Sequence, residues 1–284
     1  MNDVNHQIWT EEISAETSLF SINLKEVWRY KDLLFMFVKR DFVTFYKQTI
    51  LGPVWFFLQP VLTTITFVVI FGKIAGISTD GVPQIAFYLS GITIWNYFSE
   101  VLTNTSNVFV SNASIFGKVY FPRLIMPLSI VVSGLMKFSI QFLLFISVVL
   151  YYSVFNLKIH PNLWILATPV LILLMAALAL GMGMIFSSLT SKYKDLTFLL
   201  TFGIQLVMYA TPVIYPTSLL SPKLKHFMNF NPLTGIFECF RFGYLGAGNF
   251  NPVMLIYSAV IIAFFLLLGT LIFNKVEKSF MDTV

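Results

Sequence analysis

Two ionisable side chains, Glu100 and Lys137, stand inside long apolar stretches of this 284-residue chain, and any chemistry would be sought there first. A charge in a lipid-spanning segment is costly, so it marks an ion path, a substrate contact or an internal pair. Two scattered groups are too few for a proton relay or an ion channel, which would place several acids in the spans. For Lys137 the favoured reading is a charge satisfied by a neighbouring helix, with Glu100 as candidate partner, ahead of direct contact with an anionic substrate. ATP hydrolysis by this chain is excluded. The Gly-Lys pairs Gly72-Lys73 and Gly117-Lys118 are followed by Ile74 and Val119, where a phosphate loop needs Ser or Thr for magnesium. His6, His160 and His226 are scattered without metal-ligand spacing, so no metal site is expected. The single Cys239 excludes an intramolecular disulfide.

Aromatic residues make up 17% of the chain and are not confined to the ends of the apolar runs. Most should face lipid or neighbouring helices. Phe57, Phe67, Trp95 and Tyr209 are candidates for a ladder lining a channel, because ring faces stack on the C–H surfaces of sugars without demanding one hydrogen-bond pattern.

The elements that must hold these residues are membrane helices. A hydrocarbon core about 30 Å thick takes roughly 20 apolar residues per helix. The runs at 54–74, 85–108, 124–155, 163–189, 196–215 and 253–273 predict six spans and an all-α integral membrane protein. The third run is long enough to require tilt or extension beyond the bilayer. A composition of 57% hydrophobic and 11% charged residues agrees. Twelve of the 18 Lys and Arg residues fall on one side of this arrangement, among them Lys39, Arg40, Lys47, Lys118, Arg123, Lys192 and Lys194, which predicts cytoplasmic termini. The first span is expected to act as an uncleaved targeting signal, since no apolar core precedes it. Anionic lipid headgroups account for the net charge of +5, with no need of a nucleic-acid partner.

Residues 1–23 carry acids without Lys or Arg and read as a solvated tail. From 24 to 47, Leu24, Val27, Trp28, Phe35, Val38, Phe42 and Phe45 recur at helical intervals among basic residues, which predicts an amphipathic helix at the cytoplasmic interface. It could anchor to lipid or also touch a cytoplasmic partner. The six-span domain would then occupy 48–284. In the loop 111–123, Phe116, Val119, Tyr120 and Phe121 are apolar where water is expected, which suggests docking. In the fourth run, Ala177 precedes Gly181 by four and Ala179 precedes Gly183 by four, a spacing that favours close helix packing within one subunit over a dimer seam. Beyond the fifth run, Asn231 and Pro232 read as N-cap and first helical position, with Gly246 or Gly248 as the stop. Glu238 and Arg241, three apart on one face, make this a short re-entrant or interfacial helix at the outer mouth.

Four ordered blocks carry a family resemblance: YKQTILGPVWFFLQP before and within the first span, KVYFPRLIMPLS before the third, YKDLTFLLTFGIQLVMYATPVIYP through the fifth, and NPLTGIFECFR beyond it. Over residues 24–280 the chain resembles the transmembrane permease subunit of bacterial ABC exporters for lipid-linked polysaccharides, a group including O-antigen, capsule and teichoic acid exporters. The resemblance implies a homodimer in the bacterial inner membrane, bound to two copies of a separate ATPase that carries ATP and magnesium. This chain would bind no cofactor itself. It also implies that Lys118, Tyr120, Phe121, Pro122 and Arg123 dock into the ATPase, with Lys192, Lys194 and Asp195 near the same interface. Arg40, Tyr46 and Lys47 stand where the basic cytoplasmic mouth should be, suited to the pyrophosphate of an undecaprenyl carrier. The implied activity is export of undecaprenyl-pyrophosphate-linked polysaccharide, most simply O-antigen. The runner-up is an ABC permease for a small amphiphile or drug. A membrane-embedded sugar transferase would need clustered cytoplasmic acids, whereas Asp41 and Asp195 stand apart.

Overall fold

A computed structural model describes residues 24–47, 49–116, 118, 121–156, 159–248 and 250–280, and their regular structure is helical, with no strand among them. The acidic segment 1–23 lies outside the described residues. The amphipathic segment is two helices, α1 (Leu24–Arg29) and α2 (Lys31–Tyr46), and not the single helix expected. At Tyr30 (φ −92°, ψ 20°) the N–H is shared between the Glu26 and Val27 carbonyls, closing α1, while its carbonyl accepts from Leu33 and Leu34, opening α2.

Four helical stretches are long and apolar enough to cross a membrane: Gly52–Ile74, Ile125–Phe155, Leu163–Thr190 and Pro252–Val276. The first is a short 3₁₀ turn, then α3 (Trp55–Phe67), then widened π-helical turns over Val68–Ile74. The second contains α7 (Ile125–Tyr151); at 31 residues it is one helix about 46 Å long, which exceeds the hydrocarbon thickness. The third ends in α8 (Thr168–Thr190), and the fourth lies in α12 (Pro252–Phe280).

The two remaining expected spans take another form. The second apolar run is α4 (Gln84–Ser106), 23 residues long but carrying Asn96, Glu100 and Asn104. Sixteen of its residues are buried against α3, α7, α8 and helices nearer the C-terminus, so most of its surface meets protein. A helix enclosed in this way does not need apolar residues all round. Its polar residues bond along the helix itself: Ser90 Oγ to the Phe87 carbonyl, Thr93 Oγ1 to Leu89, and Ser106 Oγ to Leu102. The fifth run gives α9 (Leu196–Tyr209), which stops 14 residues in, ahead of Pro212. Between α4 and α7 lie the single-turn helices α5 (Val108–Ser111) and α6 (Ala113–Phe116). Between α9 and α12 lie α10 (Pro222–Met228) and α11 (Pro232–Leu245).

The main core surrounds α4 and includes Tyr88, Phe98, Phe145, Phe237 and Phe240. The small residues of α8 act within the chain. A Cβ on Gly181 would lie 2.7 Å from the Phe265 carbonyl oxygen of α12, and one on Gly183 would lie 2.6 Å from Thr105 of α4. Bare backbone at these points is what lets three helices meet closely.

Candidate functional site

Two helices bring the intramembrane charges together. On α4, Asn96, Glu100 and Asn104 recur every four residues; on α7, Gln141, Lys137 and Ser133 recur every four in the opposite direction. Residues four apart share a helix face, so these sets form facing polar stripes. Asn96 Nδ2 donates to Gln141 Oε1 at 3.2 Å, and Lys137 Nζ donates to Glu100 Oε1. Lys137 also lies over the Phe56 ring, 5.7 Å from its centroid. The third rung is not closed by a hydrogen bond. Ser133 Oγ is shut off from solvent and has no hydrogen-bond partner among the described residues, while Asn104 is exposed.

The open end of this ladder lines a polar cavity of about 780 Å³ between α2, α4, α5, α6 and α7. Arg40 stands on its wall from α2, bonded through Nε and Nη2 to Asp41 Oδ1 at 3.0 and 2.8 Å. Arg40 is also over the Phe37 ring, 4.9 Å from its centroid. Of the three residues expected at a basic mouth, the structure therefore brings Arg40 to the same cavity as Glu100 and Lys137. Lys47 is exposed at the end of α2, and Tyr46 is its last helical residue.

At the basic end of the bundle, the two short loops are tied together. Thr190 Oγ1 donates to the Ser106 carbonyl at 2.6 Å, and Thr197 Oγ1 donates to Asn107 Oδ1 at 3.2 Å. Lys118 is exposed, as are Lys192, Lys194 and Asp195. The aromatic residues of the first loop, expected to face water, are turned inward instead. Phe116 and Phe121 are buried and stacked, with centroids 5.8 Å apart, in a second core with Phe37, Phe109 and Phe273. Arg123 is also buried, its guanidinium 5.6 Å from the Phe116 ring centroid, and Pro122 is half-buried. Covering these rings with α2 and α12 removes them from water, which outweighs their use as an exposed patch. Tyr120 and Val119 lie outside the described residues.

The opposite end is organised by Arg241. Asn231 Oδ1 caps α11 by accepting from Leu233 N at 3.0 Å, Pro232 fills the first position, and Gly246 (φ 69°) ends the helix in the left-handed conformation. The N-cap and stop read from the sequence are thus the ones used. Asn231 Nδ2 also donates to the Ala210 carbonyl and Thr211 Oγ1, both at 2.9 Å, fastening α11 to the end of α9. Arg241 is 3% exposed and donates to the Pro212 and Val213 carbonyls, to Tyr215 O and to Ser90 Oγ. Its guanidinium lies 3.9 Å from the Phe87 ring centroid. Gly91 leaves the room, since a Cβ there would be 2.9 Å from Arg241 Nη2. Burial pulls the Arg241 pKa down to about 10, against the opposing charges of Glu238 and Asp80, so it stays protonated at neutral pH. Glu238 is buried nearby at 3% exposure.

The four ladder candidates do not form one row. Trp95 is 6% exposed and packs on Phe98 inside the bundle, which removes it from any open face of this chain. Phe67 packs edge-on against Phe71 and Tyr88, whereas Phe57 and Tyr209 are exposed on α3 and α9. The sequence reading missed Asn104 and Ser133. Four-residue spacing from Glu100 and Lys137 would have found both.

Several membrane-length helices, a half-buried charged ladder beside a polar cavity and bonded loops at the basic end have the build of a transport permease. The chain belongs to the ABC-2 type transporter family, which matches residues 32–245. It is similar to the O-antigen export system permease protein RfbA of Klebsiella pneumoniae, 28% identical over 88% of this chain and 94% of that protein. The protein of the same name from Myxococcus xanthus is 24% identical over 77% of this chain and 82% of its own length. The inner membrane transport permease YadH of Escherichia coli K12 is 23% identical over 89% of this chain and 96% of its own. The chain is therefore a multi-pass membrane protein and a transporter subunit, whose family pairs with an ABC ATPase that hydrolyses ATP as a separate subunit.

Proposed function

We propose that this chain is the permease of an exporter that moves undecaprenyl-pyrophosphate-linked polysaccharide, with O-antigen as the first candidate, across the bacterial inner membrane. The observation that carries this reading is the similarity to O-antigen export permeases over nearly the whole of both chains. In it the basic end is cytoplasmic, and α4 and α9 complete six spans. At 23 residues, α4 is about 35 Å long, enough to cross. Two copies of the chain bind two ATPase subunits. Lys118 and the exposed turn with Lys192, Lys194 and Asp195 meet the ATPase, and the buried Phe121 and Arg123 hold that loop rigid from beneath. The bonds from Thr190 to Ser106 and from Thr197 to Asn107 give ATPase closure a path into α4, α8 and α9. The carrier lipid enters from the inner leaflet near Arg40, Tyr46 and Lys47. The polymer then follows past exposed rings such as Phe57 and Tyr209.

Deleting the gene and following surface polysaccharide by gel, with fractionation of lipid-linked polymer, tests this. Loss of surface glycan with undecaprenyl-linked polymer held on the cytoplasmic side is the expected result; unchanged glycan would overturn it. A second reading, export of a small amphiphile, draws on the apolar cavity of about 580 Å³ between α4, α8, α9, α11 and α12, lined by Phe98, Met182, Phe186 and Phe265. Unchanged surface glycan together with amphiphile sensitivity in the deletion strain would favour it.

A further inference from the structure

A groove of about 410 Å³ runs along the first span between α3, α7 and the start of α4. Val61, Ile65, Val69 and Lys73, each four residues after the last, form one wall, and Leu144 and Val148 of α7 form the other. In a regular α-helix, residues four apart drift by about 40° at every step, which would carry Lys73 about 120° away from Val61. The widened turns over Val68–Ile74 correct this. Bonds to the fifth residue back, such as Ala75 N to the Ile70 carbonyl at 2.8 Å, put more than four residues in each turn and reverse the drift. Gly72 lets this turn sit against α4, since a Cβ there would lie 2.5 Å from Gln84 Oε1. The outcome is a straight apolar wall that ends in an ammonium group.

That wall has the dimensions of one lipid leaflet. From Val61 to Lys73 the chain rises about 18 Å, against about 15 Å for half of a hydrocarbon core. Ile65 and Val69 are exposed as well as lining the groove, so it opens along its side to the bilayer in which this multi-pass protein sits. Its one hydroxyl, Thr64 Oγ1, donates to the Pro60 carbonyl at 2.7 Å and needs no ligand. Lys73 is exposed and makes no hydrogen bond or ion pair among the described residues. Asp80, the nearest acid along the chain, accepts instead from Ser218 Oγ at 2.6 Å. A cation without a carboxylate, at the end of an apolar groove one leaflet long, is complementary to an anionic lipid.

We propose that this groove holds one anionic phospholipid of the bilayer, with an acyl chain against Val61, Ile65 and Val69 and the phosphate on Lys73, in the leaflet at the end of the span away from α2. The lipid is a resident of the groove and not the cargo, so the inference stands apart from the export reading.

The test places the purified permease–ATPase complex in nanodiscs of phosphatidylethanolamine with a minor share of phosphatidylglycerol, and counts by native mass spectrometry the lipids that stay bound after mild detergent extraction. Phosphatidylglycerol should be retained at one molecule per permease chain, well above its share of the bilayer. Lys73→Gln should lower that retention about fivefold, the worth of one lysine against an anionic headgroup, and Lys73→Arg should keep it. Val69→Trp fills the groove and should displace the lipid whatever the charge at position 73. Both positions are exposed, so neither change threatens the fold. No enrichment of phosphatidylglycerol over phosphatidylethanolamine, or undiminished retention in Lys73→Gln, would overturn the proposal. So would an interchain disulfide formed by Val69→Cys, which would put a second copy of the chain over the groove.

Discussion

Arg241 and Lys137 are both cations held among apolar helices, and their surroundings differ. Arg241 is enclosed: carbonyls from the 212–215 segment accept from it, Phe87 covers its face, and α11 holds it from behind. Lys137 has a side chain 21% exposed, beside Glu100 at 30%, on the edge of a cavity. A charge whose donors end on main-chain carbonyls fixes geometry, because changing it strands several buried acceptors at once. A charge on a cavity wall, paired with a partly exposed side chain, is held less tightly. The end of the molecule around α11 is thus built as a clasp, and the half around α2 as a chamber.

The largest effect expected from breaking that comparison belongs to Arg241→Leu. It leaves the Pro212 and Val213 carbonyls without their donor, at a cost of about 3–5 kcal/mol, read as loss of assembled protein from membranes and a lower Tm in detergent. Arg241→Lys keeps the charge without the planar fork and should fall between. Glu100→Gln should cost less, about 1 kcal/mol, because Lys137 is partly open to the cavity. Pairing it with Lys137→Met should restore Tm, while export in intact cells stays impaired. Recovery of both would make this pair as purely structural as Arg241. A chemical readout separates the two ends further. Burial pushes the Cys239 thiol of α11 up to about 11, so at pH 7 to 8 it is protonated, and maleimide labelling of the native protein should be far slower than after unfolding. The smallest effect is Ser133→Ala, which should change stability by no more than about 0.5 kcal/mol, read as a nearly unchanged Tm, since no hydrogen bond is lost.

Much of the helical architecture was legible because lipid imposes a simple rule. Runs such as 124–155 and 163–189 are apolar enough to be read by length alone, and they are helices of nearly those bounds. The cap of α11 was equally legible, since Asn231, Pro232 and Gly246 act through local backbone geometry. The loop 111–123 was not. Its aromatic residues are compatible with an exposed patch or a buried cluster, and the choice depends on α2 and α12, which are distant in sequence. The helix break at Tyr30 was likewise hidden within a periodic pattern that continues through it.

By itself the sequence determined that the chain is helical and lipid-embedded, that it lacks the means to hydrolyse ATP, and that Glu100 and Lys137 were candidates for one another. Those follow from composition, from residue types and from spacing along one helix at a time. The tertiary structure decided that Arg241 grips the carbonyls after α9, that Trp95 belongs to the core, and that the ladder ends in an open rung on a cavity. Each of these depends on which helix faces meet, and helix packing is set by close contacts such as Gly181 against Phe265, which only the assembled bundle creates.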